Sequence, residues 1–169
     1  MTEIEVGELT FGFPEDCEAT KYDEWQFYRK KFQSIQDGTK AVDIVCVVPD
    51  EAWLIEVKDY RKHERTKPSE IADEVAAKVR DTLSGLAAAS ANAEGDDEKR
   101  IARRALRNQC WRVALHLEQT EPAESALWQR PIDNANVLLK LRGKLRSVDA
   151  EAIVVNVRLS ADQVPWAVA

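Results

Sequence analysis

Residues 40–61, KAVDIVCVVPDEAWLIEVKDYR, read as a β-hairpin and set the centre of the fold. Residues 41–48 and 52–58 are short runs rich in Val, Ile and Leu. Asp37-Gly38 bounds them upstream and Pro49-Asp50-Glu51 separates them, which is turn chemistry. Both runs are apolar on both faces, as expected of central strands covered from two sides. Asp43, Glu56 and Lys58 break that pattern. Alternation along a strand sends Glu56 and Lys58 to one face and Ile55 and Val57 to the other. With Pro49-Asp50 as the turn, Val48 faces Glu51 and Asp43 falls opposite Glu56, so two carboxylates and an ammonium share one patch. A slip of one residue would separate them. Two carboxylates in a half-dry site repel unless a cation lies between them. A hard divalent ion with oxygen ligands meets that need, and Mg²⁺ takes only one or two protein carboxylates.

Asp43, followed thirteen residues later by Glu56-Val57-Lys58, resembles the catalytic signature of the PD-(D/E)XK nuclease superfamily, which includes restriction endonucleases and Holliday-junction resolvases. The resemblance is close over the hairpin and covers the remaining chain only as an order of elements. It implies an α/β protein with a restriction-endonuclease-like αβββαβ core, a mixed central sheet flanked by helices on both faces, with residues 1–169 as a single domain. It also implies that Asp43 and Glu56 hold Mg²⁺ (or Mn²⁺) together with the backbone carbonyl of Val57, and that Lys58 orients or activates the attacking water. The literal Pro49-Asp50 lies in the turn, at the far end of the hairpin, so Asp43 is the expected ligand. Many members of the superfamily add an acid from a preceding helix; Glu18, Asp23 and Glu24 are the candidates here, and Glu24 is the one named.

The chain has 169 residues, 44% of them hydrophobic, enough for one domain with one substantial core. Residues 1–12 alternate and are acidic, without a signal-peptide pattern, and no apolar run approaches membrane-spanning length; a soluble cytoplasmic protein is expected. Cys17, Cys46 and Cys110 are odd in number and scattered, so no disulfide framework is expected. With two His and no C-x-x-C, neither is a structural zinc site. The net charge of −6 argues against broad coating of nucleic acid. A local basic track remains compatible with it.

The N-terminal residues to Phe13 predict an edge strand or bent hairpin. Trp25, Tyr28, Phe32 and Ile35 recur at three or four and predict an amphipathic helix over 18–35, ending at Asp37-Gly38. After the hairpin, Arg61, Lys62 and Arg65 read either as phosphate-backbone contacts or as a solvated loop. Pro68-Ser69-Glu70 opens a helix whose Ile71, Val75, Val79, Leu83 and Leu86 run to about residue 92. A second helix over 98–109 carries Arg100, Arg103, Arg104 and Arg107 at i, i+3, i+4 and i+7, and no acid follows Glu98 until Glu118. That stripe is the best candidate for an electrostatic track on nucleic acid, its other reading being a solvated or partner-facing surface.

Trp111, Val113, Leu115 and Leu117 alternate with polar residues, which predicts a strand parallel to one of the hairpin. A loop follows over 120–131. Asp133 caps a helix carrying Val137, Leu138, Leu141 and Leu145 inward, and 153–159 is a last strand. The expected activity is Mg²⁺-dependent hydrolysis of a DNA phosphodiester. The alternative is a catalytically silent nuclease-fold binding or scaffold subunit of a larger defence or mobile-element complex. A protein partner that supplies targeting and a homodimer are both compatible with the chain; a membrane is not expected.

Overall fold

The computed structural model describes residues 1–63, 65–120, 131–158 and 163–169. The hairpin lies at its centre: β4 (Ile44–Val47) pairs antiparallel with β5 (Glu51–Tyr60), Val47 against Ala52 and Ile44 against Ile55. Val48 N–H closes the turn onto the Glu51 carbonyl at 3.0 Å. This is the expected register, and one further step brings Asp43 against Glu56. β6 (Cys110–Gln119) runs parallel along the whole of β5, and β7 (Ile153–Val155) runs parallel to β6. On the other side β3 (Glu18–Lys21) pairs antiparallel with β4, giving a mixed five-stranded sheet in the order β3-β4-β5-β6-β7.

Among the described residues three helices complete the connections: α1 (Ile71–Asn92), α2 (Asp96–Arg107) and α3 (Asn134–Leu145). The first two form the crossover that a parallel β5–β6 pair requires. The Asp133 carboxylate caps α3 by accepting from the N–H groups of Ala135 (3.0 Å) and Asn136 (3.2 Å), as its position predicts. The strand expected over 153–159 ends at Val155, and the loop expected over 120–131 lies almost wholly outside the described residues.

Two expectations fail here. The segment 18–35 is not one helix. It opens as strand β3, turns through a 3-10 segment at Tyr22–Glu24 and ends in a single π-helical turn at Tyr28–Phe32. The apolar spacing does bury Trp25, Tyr28 and Phe32, but the open edge of β4 captures residues 18–21 by backbone pairing, which side-chain periodicity does not report. The order is therefore strand, helical turn, hairpin, not a helix ahead of three strands.

Nor, among the described residues, do helices cover both faces. Val45, Val47, Leu54, Val113, Leu115 and Leu117 pack against all three helices. The opposite face, with Ile44, Cys46, Trp53, Ile55 and Ala114, is covered by an antiparallel three-stranded sheet of β1 (Thr2–Val6), β2 (Leu9–Phe13) and β8 (Ala167–Val168). Leu9, Phe11 and Phe13 give that hairpin an apolar face wide enough to serve as the second layer. Among the described residues no helix is long and apolar enough to cross a membrane.

A third correction concerns the cysteines: Cys17 and Cys46 form a disulfide in this second core, joining the entry of β3 to β4 across 29 residues, while Cys110 is free. Pairing of β3 with β4 brings the two together, and linear spacing could not show it. We expect reduction of this bridge to lower stability by about 2–4 kcal/mol in urea unfolding, and a Cys17→Ala/Cys46→Ala variant to be indifferent to reductant.

α1 approaches the 3-10 segment so closely that Gly85 has no room for a side chain. A Cβ there would run into Tyr22 Oη and come within 3.2 Å of the Phe32 ring. Tyr22 Oη is itself buried without a hydrogen-bond partner. In an ordinary helix Gly→Ala gains about 1 kcal/mol. Here the clash outweighs that gain, and Gly85→Ala is expected to destabilise by roughly 1–3 kcal/mol. Adding Tyr22→Phe should restore most of the loss; an equal loss in both backgrounds, measured by chemical denaturation, would contradict this packing.

Candidate functional site

Asp43, Glu56, Val57 and Lys58 come together as the hairpin register requires. Asp43 stands one residue before β4. The loop that carries it is held from α1: Asp81 accepts from Lys40 N–H at 2.9 Å and Thr82 Oγ1 from Val42 N–H at 3.1 Å. The Asp43 carbonyl accepts from Tyr22 N–H, and its carboxylate Oδ2 accepts from Val57 N–H at 2.7 Å. The acid is thus pinned to the backbone between Glu56 and Lys58.

Glu56 is fully buried on the helix-covered face of β5. Its carboxylate sits between two lysines. Lys58 Nζ lies 2.9 Å from Oε1, and Lys78 Nζ, from α1, lies 2.7 Å from Oε1 and 2.9 Å from Oε2. The contacts to Oε1 are ionic rather than directional, since that atom has no hydrogen bond of good angle. Burial, and then the neighbouring Asp43, push the Glu56 carboxyl up to about 7, against the opposing pull of Lys78 and Lys58. Burial also disfavours the charged form of Lys58, but its pairing with Glu56 outweighs this and raises its pKa. Lys58 is therefore a held ammonium at neutral pH.

The network continues outward. Lys58 Nζ is 3.9 Å from Glu74, and Glu74 receives Arg65 at 2.6 Å and the hydroxyl of Ser69. Burial penalises the Glu74 carboxylate, but Arg65 and Ser69 more than compensate and bring its pKa down to about 2. Cations and carboxylates alternate from Lys78 through Glu56, Lys58 and Glu74 to Arg65.

Beside this network lies a cavity of about 540 Å³ lined by Asp23, Tyr28, Arg29, Gln33, Thr39, Lys40, Ala41, Asp43 and Lys78. Asp23 is its second acid. Burial and then Asp43 raise the Asp23 pKa, and its Oδ1 is enclosed without a hydrogen-bond partner. Glu24 sits on the surface instead, 3.0 Å from Lys21 and 3.8 Å from Arg29, and Glu18 is taken by Arg100 and Arg104. Of the three acids read from the sequence, Asp23 is the one at the cavity.

The remaining cations are more committed than their sequence positions imply. Arg61 pairs with Asp59 at 2.6 Å, and Lys62 with Glu8 of the β1–β2 turn. Arg65 is turned inward onto Glu74, Tyr60 and Ser69. On α2, Arg100 and Arg104 share Glu18, Arg100 also meets Asp97 at 2.9 Å, and Arg103 donates to the Ser90 carbonyl at 2.9 Å. Arg107 is exposed. Glu18 pairs with Val47, four register steps from Asp43 and so roughly 13 Å along the strand. The stripe is not contiguous with the carboxylates.

Sequence reasoning missed Lys78. A signal existed: Glu74, Lys78 and Thr82 follow one another at i, i+4 and i+8, a polar line beside the apolar Val75 and Val79. For a divalent ion, the donors present are carboxylates and backbone carbonyl, the set that suits a hard cation. Asp43 has one oxygen free of Val57, whereas both Glu56 oxygens lie within 2.9 Å of the Lys78 ammonium. Among the described residues no group of three or more His, Cys, Asp or Glu is poised to hold a metal.

No family model matches the chain, and no solved structure matches it. Among curated proteins it is similar to a cysteine–tRNA ligase of Neisseria meningitidis serogroup A, 34% identical over 209 aligned residues. That alignment covers 99% of this chain and 30% of the ligase, so the chain spans less than a third of its relative's length.

Glu74 gives a stability prediction with a definite sign. Its carboxyl is held at about 2 in the fold against an ordinary 4.5, so the folded state binds the proton less readily than the unfolded chain. Its contribution is complete above about pH 4.5 and is lost as the pH falls toward 2. Glu74→Gln should cost about 2 kcal/mol at pH 7, and the gap to wild type in urea unfolding should narrow steadily from pH 5 to pH 3. A gap independent of pH would show that the charge of Glu74 is not what stabilises.

Proposed function

We propose that this chain is a metal-dependent phosphodiesterase of the PD-(D/E)XK type acting on DNA. The observation that carries the reading is the β4–β5 register, which sets Asp43 against Glu56 with Lys58 on the same face, beside a cavity that also holds Asp23. Asp43, Glu56 and the carbonyl of Val57 would hold Mg²⁺ or Mn²⁺, and Asp23 is the further acid on the wall of the cavity beside them. Such an ion supplies Lewis-acid stabilisation of the charge that develops on a phosphate oxygen.

The chain's own residues supply the positioning. Val57 N–H fixes the Asp43 carboxylate, and the loop 39–43 is clamped by Asp81 and Thr82. Lys58, ammonium at neutral pH, orients the attacking water and offsets phosphate charge; it is not the base. Arg29 and Lys40 stand on the cavity wall, where a phosphate backbone would pass. Arg107 is exposed and can extend the contact, whereas Arg61 and Lys62 would first have to leave Asp59 and Glu8.

A second reading, a silent nuclease-fold scaffold, is favoured by one observation: Lys78 already hydrogen-bonds Glu56 Oε2 and pairs ionically with Oε1, compensating the carboxylate without a divalent ion. A partner that supplies targeting, or a second copy of the chain, belongs with either reading. A cytoplasmic setting belongs to the nuclease proposal, and there the Cys17–Cys46 bridge would be reduced. Because the similar curated protein is named as a tRNA ligase, tRNA joins DNA among the substrates to test.

Plasmid DNA, a DNA oligonucleotide duplex and tRNA are incubated with wild type, Asp43→Ala and Lys58→Ala in Mg²⁺ or Mn²⁺. We expect cleavage by wild type and a loss of about a hundredfold or more in each variant. Lys58→Ala should keep metal binding that Asp43→Ala loses, as read by calorimetry. Absence of both cleavage and Asp43-dependent metal binding would leave the scaffold reading.

A further inference from the structure

We propose that Lys78 is a built-in cation that competes with the divalent metal for Glu56 and must swing away for the metal to load, an inference that rests on the metal-nuclease reading above. Lys78 and Asp43 both line the cavity; Glu56 does not, and it has no exposed surface. Lys78 Nζ reaches both Glu56 oxygens, at 2.7 and 2.9 Å. The ammonium therefore stands between the cavity and the carboxylate that a metal would need.

Charge counting gives the same result. With Glu56 ionised, Asp43 and Glu56 carry two negative charges, and Lys58 and Lys78 two positive ones. A divalent ion added to that balanced set meets two ammonium groups in a poorly hydrated place, where like charges repel strongly. Lys58 is held from β5 by Glu56 and, farther off, by Glu74, so it has the less freedom to leave. Lys78 sits on a flexible four-carbon stem with its side chain partly open to the cavity. Asp23 lines the same cavity, with an enclosed Oδ1 that lacks a hydrogen-bond partner. It is a ready receiver for the displaced ammonium. Lys78 thus alternates between Glu56, with the site closed, and Asp23, with the site loaded.

Full-length wild type, Lys78→Met, Lys78→Gln and Asp23→Asn are titrated with Mn²⁺ and Mg²⁺ by calorimetry, each also with Asp43→Ala added. Thermal unfolding identifies variants that fold, and Lys78→Gln serves if Lys78→Met does not. Removing a competitor that occupies the competent site most of the time should tighten apparent metal binding about tenfold or more in the Lys78 variants. Asp23→Asn should weaken it in the wild-type background, and Asp23→Asn combined with Lys78→Gln should bind as Lys78→Gln alone does. Unchanged or weaker binding in both Lys78 variants, with binding still abolished by Asp43→Ala, would overturn the proposal and leave the metal site standing. Binding absent from all forms, or indifferent to Asp43→Ala, would overturn both.

Discussion

Glu56 is a carboxylate with no exposed surface in the middle of a sheet, and the rest of the site is arranged around making that tolerable. An isolated buried charge costs several kcal/mol, so it must be paired or neutralised. Here it is flanked by two ammonium groups from different elements, one two residues along its own strand and one from α1. Glu74 and Arg65 extend the alternation to the surface. Removing one partner weakens the pairing of a charge that stays buried, which makes the set costly to disrupt. A charged group of this kind is a poor choice for stability alone, and that is one physical reason to look for chemistry around it.

Helix α1 serves both the fold and the site. Its apolar line, Val75, Val79 and Leu86, lies in the main core. Its polar line delivers Glu74 and Lys78 to the carboxylate network, while Asp81 and Thr82 clamp the loop that carries Asp43. Farther along, Gly85 lets the helix close onto Tyr22 and Phe32, and Tyr22 in turn donates its N–H to the Asp43 carbonyl. Packing of one helix therefore sets the position of both acids on the hairpin.

The two-layer cover of the sheet explains the mixed success of a helix-on-both-faces expectation. One face demands helices because parallel β5–β6 and β6–β7 pairs need crossovers. The other face needs only an apolar layer, and the N-terminal hairpin with β8 supplies one through Phe11, Phe13 and Trp166. The Cys17–Cys46 bridge then ties the exit of that hairpin to the central strand β4.

Local patterns settled much of this from the sequence alone. Turn residues at Pro49-Asp50 and alternation in the two runs defined the hairpin, its register and the shared face of Glu56 and Lys58. Helical periodicity placed α1 to within three residues of its observed start, Asp133 marked the cap of α3, and period-two alternation found β6 as a strand, which the preceding crossover made parallel to one of the hairpin. These features are legible because each depends on residues within a few positions of one another. Tertiary structure decided the rest. Strand β3, the pairing of Arg100 and Arg104 with Glu18, the disulfide, the choice of Asp23 over Glu24 and the arrival of Lys78 on Glu56 all join residues distant in the chain. A side chain's charge is written in the sequence, but its partner is chosen by which elements pack together.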